Sequence, residues 1–106
     1  MPIVDGVYTS KTEISGFGVL YIPQVNLNGT SKASLKAELQ NADAALQLAV
    51  DALREMTVHG RDWQSVPNGI EEWGQARDEH RARIAKIIEV RGELTAIWMA
   101  INAQGI

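Results

Sequence analysis

The chain contains no cysteine. That excludes a disulfide framework, a thiolate metal site and a cysteine nucleophile. Aromatic residues make up 6% of it and there are three prolines. No charged residue occurs between Glu13 and Lys32. The longest unbroken apolar run is Ala96–Ile101, far short of the ~20 residues that span a bilayer. The first ten residues carry neither Lys nor Arg and no apolar stretch, so no secretory signal is expected. The expected setting is a soluble intracellular protein made in the cytoplasm, with no membrane contact.

Net charge is −3, and it is spread evenly. Residues 1–30, 31–59 and 60–106 each carry one more acidic than basic side chain. No segment offers the basic field that phosphate backbones require, so nucleic acid is not an expected partner. Nucleotide-binding glycine loops, the zinc-binding HExxH helix and the GxSxG nucleophile elbow are all missing.

What is present is ordinary globular composition, 45% apolar and 22% charged, and it is unevenly arranged. Residues 1–30 read as an extended arm with β-like stretches at Gly6–Ser10 and Gly18–Leu27. In the second stretch, two-residue alternation puts Val19, Tyr21, Val25 and Leu27 on one face. Pro23 marks an edge or an end, since it cannot donate to a ladder. Gly16 and Gly18 around Phe17 read as a turn or bulge. The arm either lies on the chain's own helices or adds a strand to a neighbouring subunit.

Residues 31–106 read as a helical body, one domain together with the arm. Thr30 or Ser31 is a candidate N-cap. Leu35, Leu39, Ala42, Leu46, Ala49, Leu53 and Met56 then recur at spacings of four and three, a heptad seam. A helix over 31–57 would be about 40 Å long. The linker holds His59-Gly60, around which Val58 and Trp63–Val66 suggest a short β-hairpin. Asn68 three residues before Glu71 reads as a capping box. A second helix from about Ile70 to about Ala103 has the stripe Ile84, Ile87, Ile88, Val90, Leu94, Ile97, Trp98 and Ile101. Its first half is charged, with Asp78–Arg81 and Glu79–Arg83 spaced for ion pairs. A close backbone contact is expected at Gly92. The fold class is therefore mainly α: a long two-helix hairpin with a short β-hairpin linker and an extended β-like N-terminal arm.

Chemistry-bearing residues are few. Glu71 and Glu72 sit where a helix dipole favours acids. Asp78 and His80 point some 200° apart on a helix and cannot work as a pair. An enzyme using Glu71, Glu72 or His80 is the weakest of three readings, so no catalytic, cofactor or metal residues are expected. Two helices bury a thin core, and Ala96–Ile101 is apolar almost all round, which calls for cover. The expected role is non-enzymatic assembly, as a homo-oligomer that also meets other assembly proteins. Its expected partner-binding residues are Val19, Tyr21, Val25, Leu27, Trp98, Met99 and Ile101. The alternative is a small inhibitor or adaptor acting on a host protein.

One stretch carries a resemblance. Leu53–Ile84 runs as a helix end, a turn with Gly60-Arg61, an apolar Ile70 and a helix bearing Arg77. This resembles the helix–hairpin–helix pattern of the small head-to-tail joining (connector) proteins of tailed bacteriophages. The chain differs from that pattern in its long helices and its arm. The resemblance implies a ring-forming virion subunit and assigns Gly60 and Arg61 to the turn.

Overall fold

The computed structural model describes residues 3, 4, 7, 8 and 10–105, the first four as backbone only. It is mainly helical. Two short strands, β1 (Ile3–Val4) and β2 (Val7–Tyr8), pair antiparallel. A second antiparallel pair follows, β3 (Lys11–Ile14) with β4 (Gly18–Tyr21), in the register Lys11 opposite Tyr21. Helix α1 spans Lys32–Glu55 and helix α2 spans Gly69–Asn102, with a 3₁₀ turn at Gly60–Trp63 between them. Of the first β-like stretch, Gly6 and Thr9 lie outside the described residues.

Two compact units divide the chain, and the division falls within the helices rather than at residue 30. One unit is Met1–Ala44 with Gly92–Ile106; the other is Ala45–Arg91.

In the first unit, the arm from residue 10 onward lies on the chain's own helices. Gly16 and Gly18 turn the β3–β4 hairpin with φ of 88° and 71°, values that glycine adopts without the Cβ penalty. The turn sets Phe17 directly on Gly92, where an added Cβ would lie 2.6 Å from the ring. After β4 the chain enters the core. Ile22, Val25 and Ile101 are buried, and Leu20, Leu35, Leu39, Ile97 and Ala100 pack around them. The start of α1 runs antiparallel to the end of α2, with Lys36 Nζ donating to Asn102 Oδ1 at 2.7 Å. Ser31 is the N-cap, its hydroxyl accepting from the Ser34 N–H at 3.1 Å.

In the second unit, Val50 is the buried centre, and α1 again runs antiparallel to α2. Arg91 donates to the Gln47 side-chain carbonyl. His80 donates from Nε2 to the Leu53 carbonyl at 2.7 Å, which also accepts from the Met56 N–H at 3.3 Å at the end of α1. The strict heptad is corrected here: Val50 lies inside and Met56 is 59% exposed. Met56 lies past the end of α1 at Glu55, and within the helix the inner face drifts off a strict 3.5 repeat, leaving Ala42 exposed.

The linker forms no hairpin, which corrects the sequence-based expectation. Asp62 N–H donates to the His59 carbonyl at 3.1 Å and Gln64 N–H to the Arg61 carbonyl at 3.4 Å, closing tight turns. The Val58 carbonyl accepts from Trp73 Nε1 at 2.7 Å rather than from a facing strand. His-Gly lacks the Asn-Gly preference for the hairpin turn, and the indole outcompetes a two-residue ladder. Asn68 has a left-handed φ of 58°, not the β-region backbone of a capping box.

Candidate functional site

The sequence-derived binding residues separate into two groups. Val25 and Ile101 are enclosed in the first unit's core, at 8% and 1% exposure. Their assignment to a partner surface is corrected: regular alternation stops with β4 at Tyr21, and Val25 packs with Ile22 and Ile101 in the core. Strand β4 ends at Tyr21, so neither Val25 nor Leu27 continues its outer face. Val19, Tyr21, Leu27 and Met99 stay on the surface, with Leu27 fully exposed. Leu20, on the opposite face of β4, packs with the core, as does Ile22 just after the strand. Trp98 is half-buried.

Met99 and Trp98 each line a groove of the first unit. One, of about 460 Å³, runs past Ile14, Phe17, Gly92, Ala96 and Met99. The other, of about 200 Å³, is lined by Leu39, Gln40, Asp43, Leu94, Thr95 and Trp98. The Lys36 ammonium lies 4.7 Å from the Trp98 ring centre, within cation–π range. The Trp98 Nε1 atom is buried without a hydrogen-bond partner.

The second unit holds an aromatic site that the heptad analysis overlooked. Trp63, Val66, Ile70 and Trp73 line a hollow of about 420 Å³ with Gly60 and Gly69. The Arg77 guanidinium stacks 4.2 Å from the Trp73 ring centre. Gly69 is obligatory there, since an added Cβ would lie 2.1 Å from the Trp63 carbonyl oxygen. The legible signal was spacing: Trp73, Ala76, His80, Ile84 and Ile87 continue as Arg91, Leu94, Trp98 and Ile101 at steps of three and four. The aromatic, basic and histidine members obscured it.

The polar chemistry is sparse. Asp78–Arg81 and Glu79–Arg83 approach to 3.9 and 3.7 Å with side chains more than half exposed, so solvent screens them and they contribute little. Glu71 and Glu72 are exposed in the first turn of α2. His80 is engaged by α1, as above. Among the described residues no three His, Asp or Glu side chains gather as a metal-ligand group. No helix among them is long and apolar enough to cross a membrane. Comparison with protein-family models, curated proteins and solved structures finds no match.

Proposed function

We propose that this chain is a non-enzymatic assembly subunit that associates with copies of itself and joins other assembly proteins. The observation that carries this reading is the imbalance of apolar burial. Among the described residues only Ile22, Val25, Val50 and Ile101 are buried, while Tyr21, Leu27, Leu48, Met56, Ile70 and Met99 are more than half exposed.

The ring-forming virion subunit implied by the connector resemblance is the specific assembly proposed. Sedimentation velocity from low to high micromolar concentration tests the general claim, and negative-stain microscopy of the associated fraction tests the specific one. Reversible association and closed rings are the expected results. A sharp monomer peak at every concentration overturns the assembly reading. Open or irregular aggregates without rings overturn the connector assignment.

A further inference from the structure

Two of the five asparagines, Asn28 and Asn68, stand directly before a glycine. That pairing is chemically labile. Glycine has no Cβ, so its backbone nitrogen closes on the preceding carboxamide without crowding. After Asn26, Asn41 and Asn102 the next residue is Leu or Ala, whose side chain hinders that approach.

The two pairs have opposite surroundings. Asn28 lies in the turn Asn26–Gly29, where every residue is exposed. The Gly29 N–H, the group that would attack, donates to the Asn26 carbonyl at 3.3 Å, a long and weak bond. Asn28 N–H donates to Asn26 Oδ1 at 2.9 Å. The flanks of the turn are clamped by Gln104. Its side chain accepts from Val25 N–H and donates to the Pro23 carbonyl, both at 2.8 Å. Its own carbonyl accepts from Lys32 Nζ at 2.6 Å. The clamp does not reach Asn28 or Gly29. Asn68, in contrast, is tied to α2. Its carbonyl accepts from Glu72 N–H at 3.1 Å, and Gly69 is the first residue of the helix. Gly69 stands so close to the Trp63 carbonyl oxygen that no Cβ would fit. Ring closure at Asn68 rotates the Asn68–Gly69 peptide, which breaks the Glu72 bond and drives Gly69 against that backbone.

We propose that Asn28 is a site of spontaneous deamidation in the folded protein, and that α2 shields Asn68 from the same reaction. Hydroxide takes the proton of the Gly29 N–H, and the nitrogen attacks Asn28 Cγ. The new N–Cγ bond closes a five-membered succinimide. The bond from Cγ to the side-chain nitrogen breaks, and that nitrogen takes a proton from water and leaves as ammonia. Water then opens the ring. Cleavage of the N–Cγ bond gives Asp. Cleavage at the main-chain carbonyl gives isoaspartate, which routes the chain through Cβ and Cγ. Either product puts a carboxylate into the stretch that carries no charge between Glu13 and Lys32. Isoaspartate also lengthens the turn between its clamped flanks by one methylene. The reaction goes beyond the assembly reading and proceeds whether or not copies associate.

The test is peptide mapping of the full chain after incubation at mildly alkaline pH. Trypsin separates the two sites into peptides 12–32 and 62–77. Mass spectrometry follows the exchange of amide for carboxylate in each, and electron-transfer fragmentation separates isoaspartate from Asp. A parallel sample in urea removes the structure. The expected result is conversion of native Asn28 roughly tenfold or more faster than Asn68, which a helix hydrogen bond and a backbone collision hold back. In urea the two rates converge. Gly29→Ala, whose methyl meets only the movable Asn26 side chain, suppresses conversion at residue 28 and leaves the thermal melt intact. Equal conversion of the two sites in the native chain overturns the proposal. So does a native Asn28 that stays intact while the urea sample converts. A difference that persists in urea assigns the protection to neighbouring sequence and overturns the role of α2.

Discussion

Two glycines of α2 separate close packing from helix propensity. At Gly69 a Cβ would collide with the backbone oxygen of Trp63, and backbone cannot swing aside as a side chain does. Gly69→Ala is expected to cost about 1–3 kcal/mol or more in urea denaturation. At Gly74 nothing lies within 4 Å, and glycine only loosens the helix. Gly74→Ala is expected to stabilise by about 1 kcal/mol. Equal effects at the two sites would mean that the approach of Gly69 to Trp63 is wrong. A second pair tests the corrected seam. Val50→Ala is expected to cost about 2 kcal/mol, from two lost methyl groups and the space they leave. Met56→Ala is expected to stay within about 0.5 kcal/mol, as exposed sites do. A strict heptad makes Met56 a seam residue and leaves Val50 beside the seam, so the comparison discriminates.

The helices were legible as elements because each is bounded by local signals. Ser31 caps α1, and Pro67-Asn68-Gly69 stops the linker where α2 begins. Both ion pairs of α2 were legible too, since spacing on a helix fixes neighbours without tertiary knowledge. The linker was not legible, because its conformation depends on Trp73, ten residues beyond Trp63, capturing the Val58 carbonyl. The facing surfaces were half legible. Hydrophobicity marked Ile84, Ile87, Leu94, Ile97, Trp98 and Ile101, wrongly added the exposed Ile88 and Val90, and missed His80, which meets α1 through a hydrogen bond. Removing that bond has an expected signature. His80→Ala removes the shorter of two bonds to the Leu53 carbonyl, which keeps the Met56 N–H at 3.3 Å, at a cost of about 0.5–1.5 kcal/mol. Amide exchange should accelerate in the last turns of α1 before global unfolding. Unchanged protection there would show that the contact contributes nothing to holding the helix end.

For the molecule as a whole, the decisive residue pattern was the uncharged stretch between Glu13 and Lys32, and it pointed to two outcomes at once. An uncharged, β-branched arm suits a neighbour's sheet as well as its own core. Period-two alternation cannot separate them, and it placed Val25 with Tyr21 although Pro23 intervenes. The structure puts Ile22 and Val25 against Ile101 in the same chain. Deleting residues 1–28 is therefore expected to remove roughly 4 kcal/mol of apolar burial from the first unit. At ~4–8 °C per kcal/mol, the melting temperature should fall by about 15 °C or more, even in dilute solution. A truncated chain that melts unchanged would mean that the arm contributes nothing to its own core. The candidate site was legible only as composition. Trp98 and Met99 stood out as apolar, but the hollow of Trp63, Val66, Ile70 and Trp73 depends on the linker's tight turns, which periodicity does not set.

Gln104 also sets an order of events. Its bonds to Val25 and Pro23 join residues 79 and 81 positions apart. A ribosome adds about 5–20 residues each second, so the arm emerges roughly 4–16 s before its clamp exists. Residues 45–91 form a compact unit of nearer sequence neighbours and are free to fold during that interval. The nascent chain therefore carries Leu20, Ile22 and Val25 uncovered while the later unit closes ahead of the earlier one. That interval is the molecule's period of greatest exposure to misassociation with other nascent copies. Stalled ribosome complexes would reveal it as an arm cleaved by protease until Gln104 has cleared the exit tunnel, and protected afterwards.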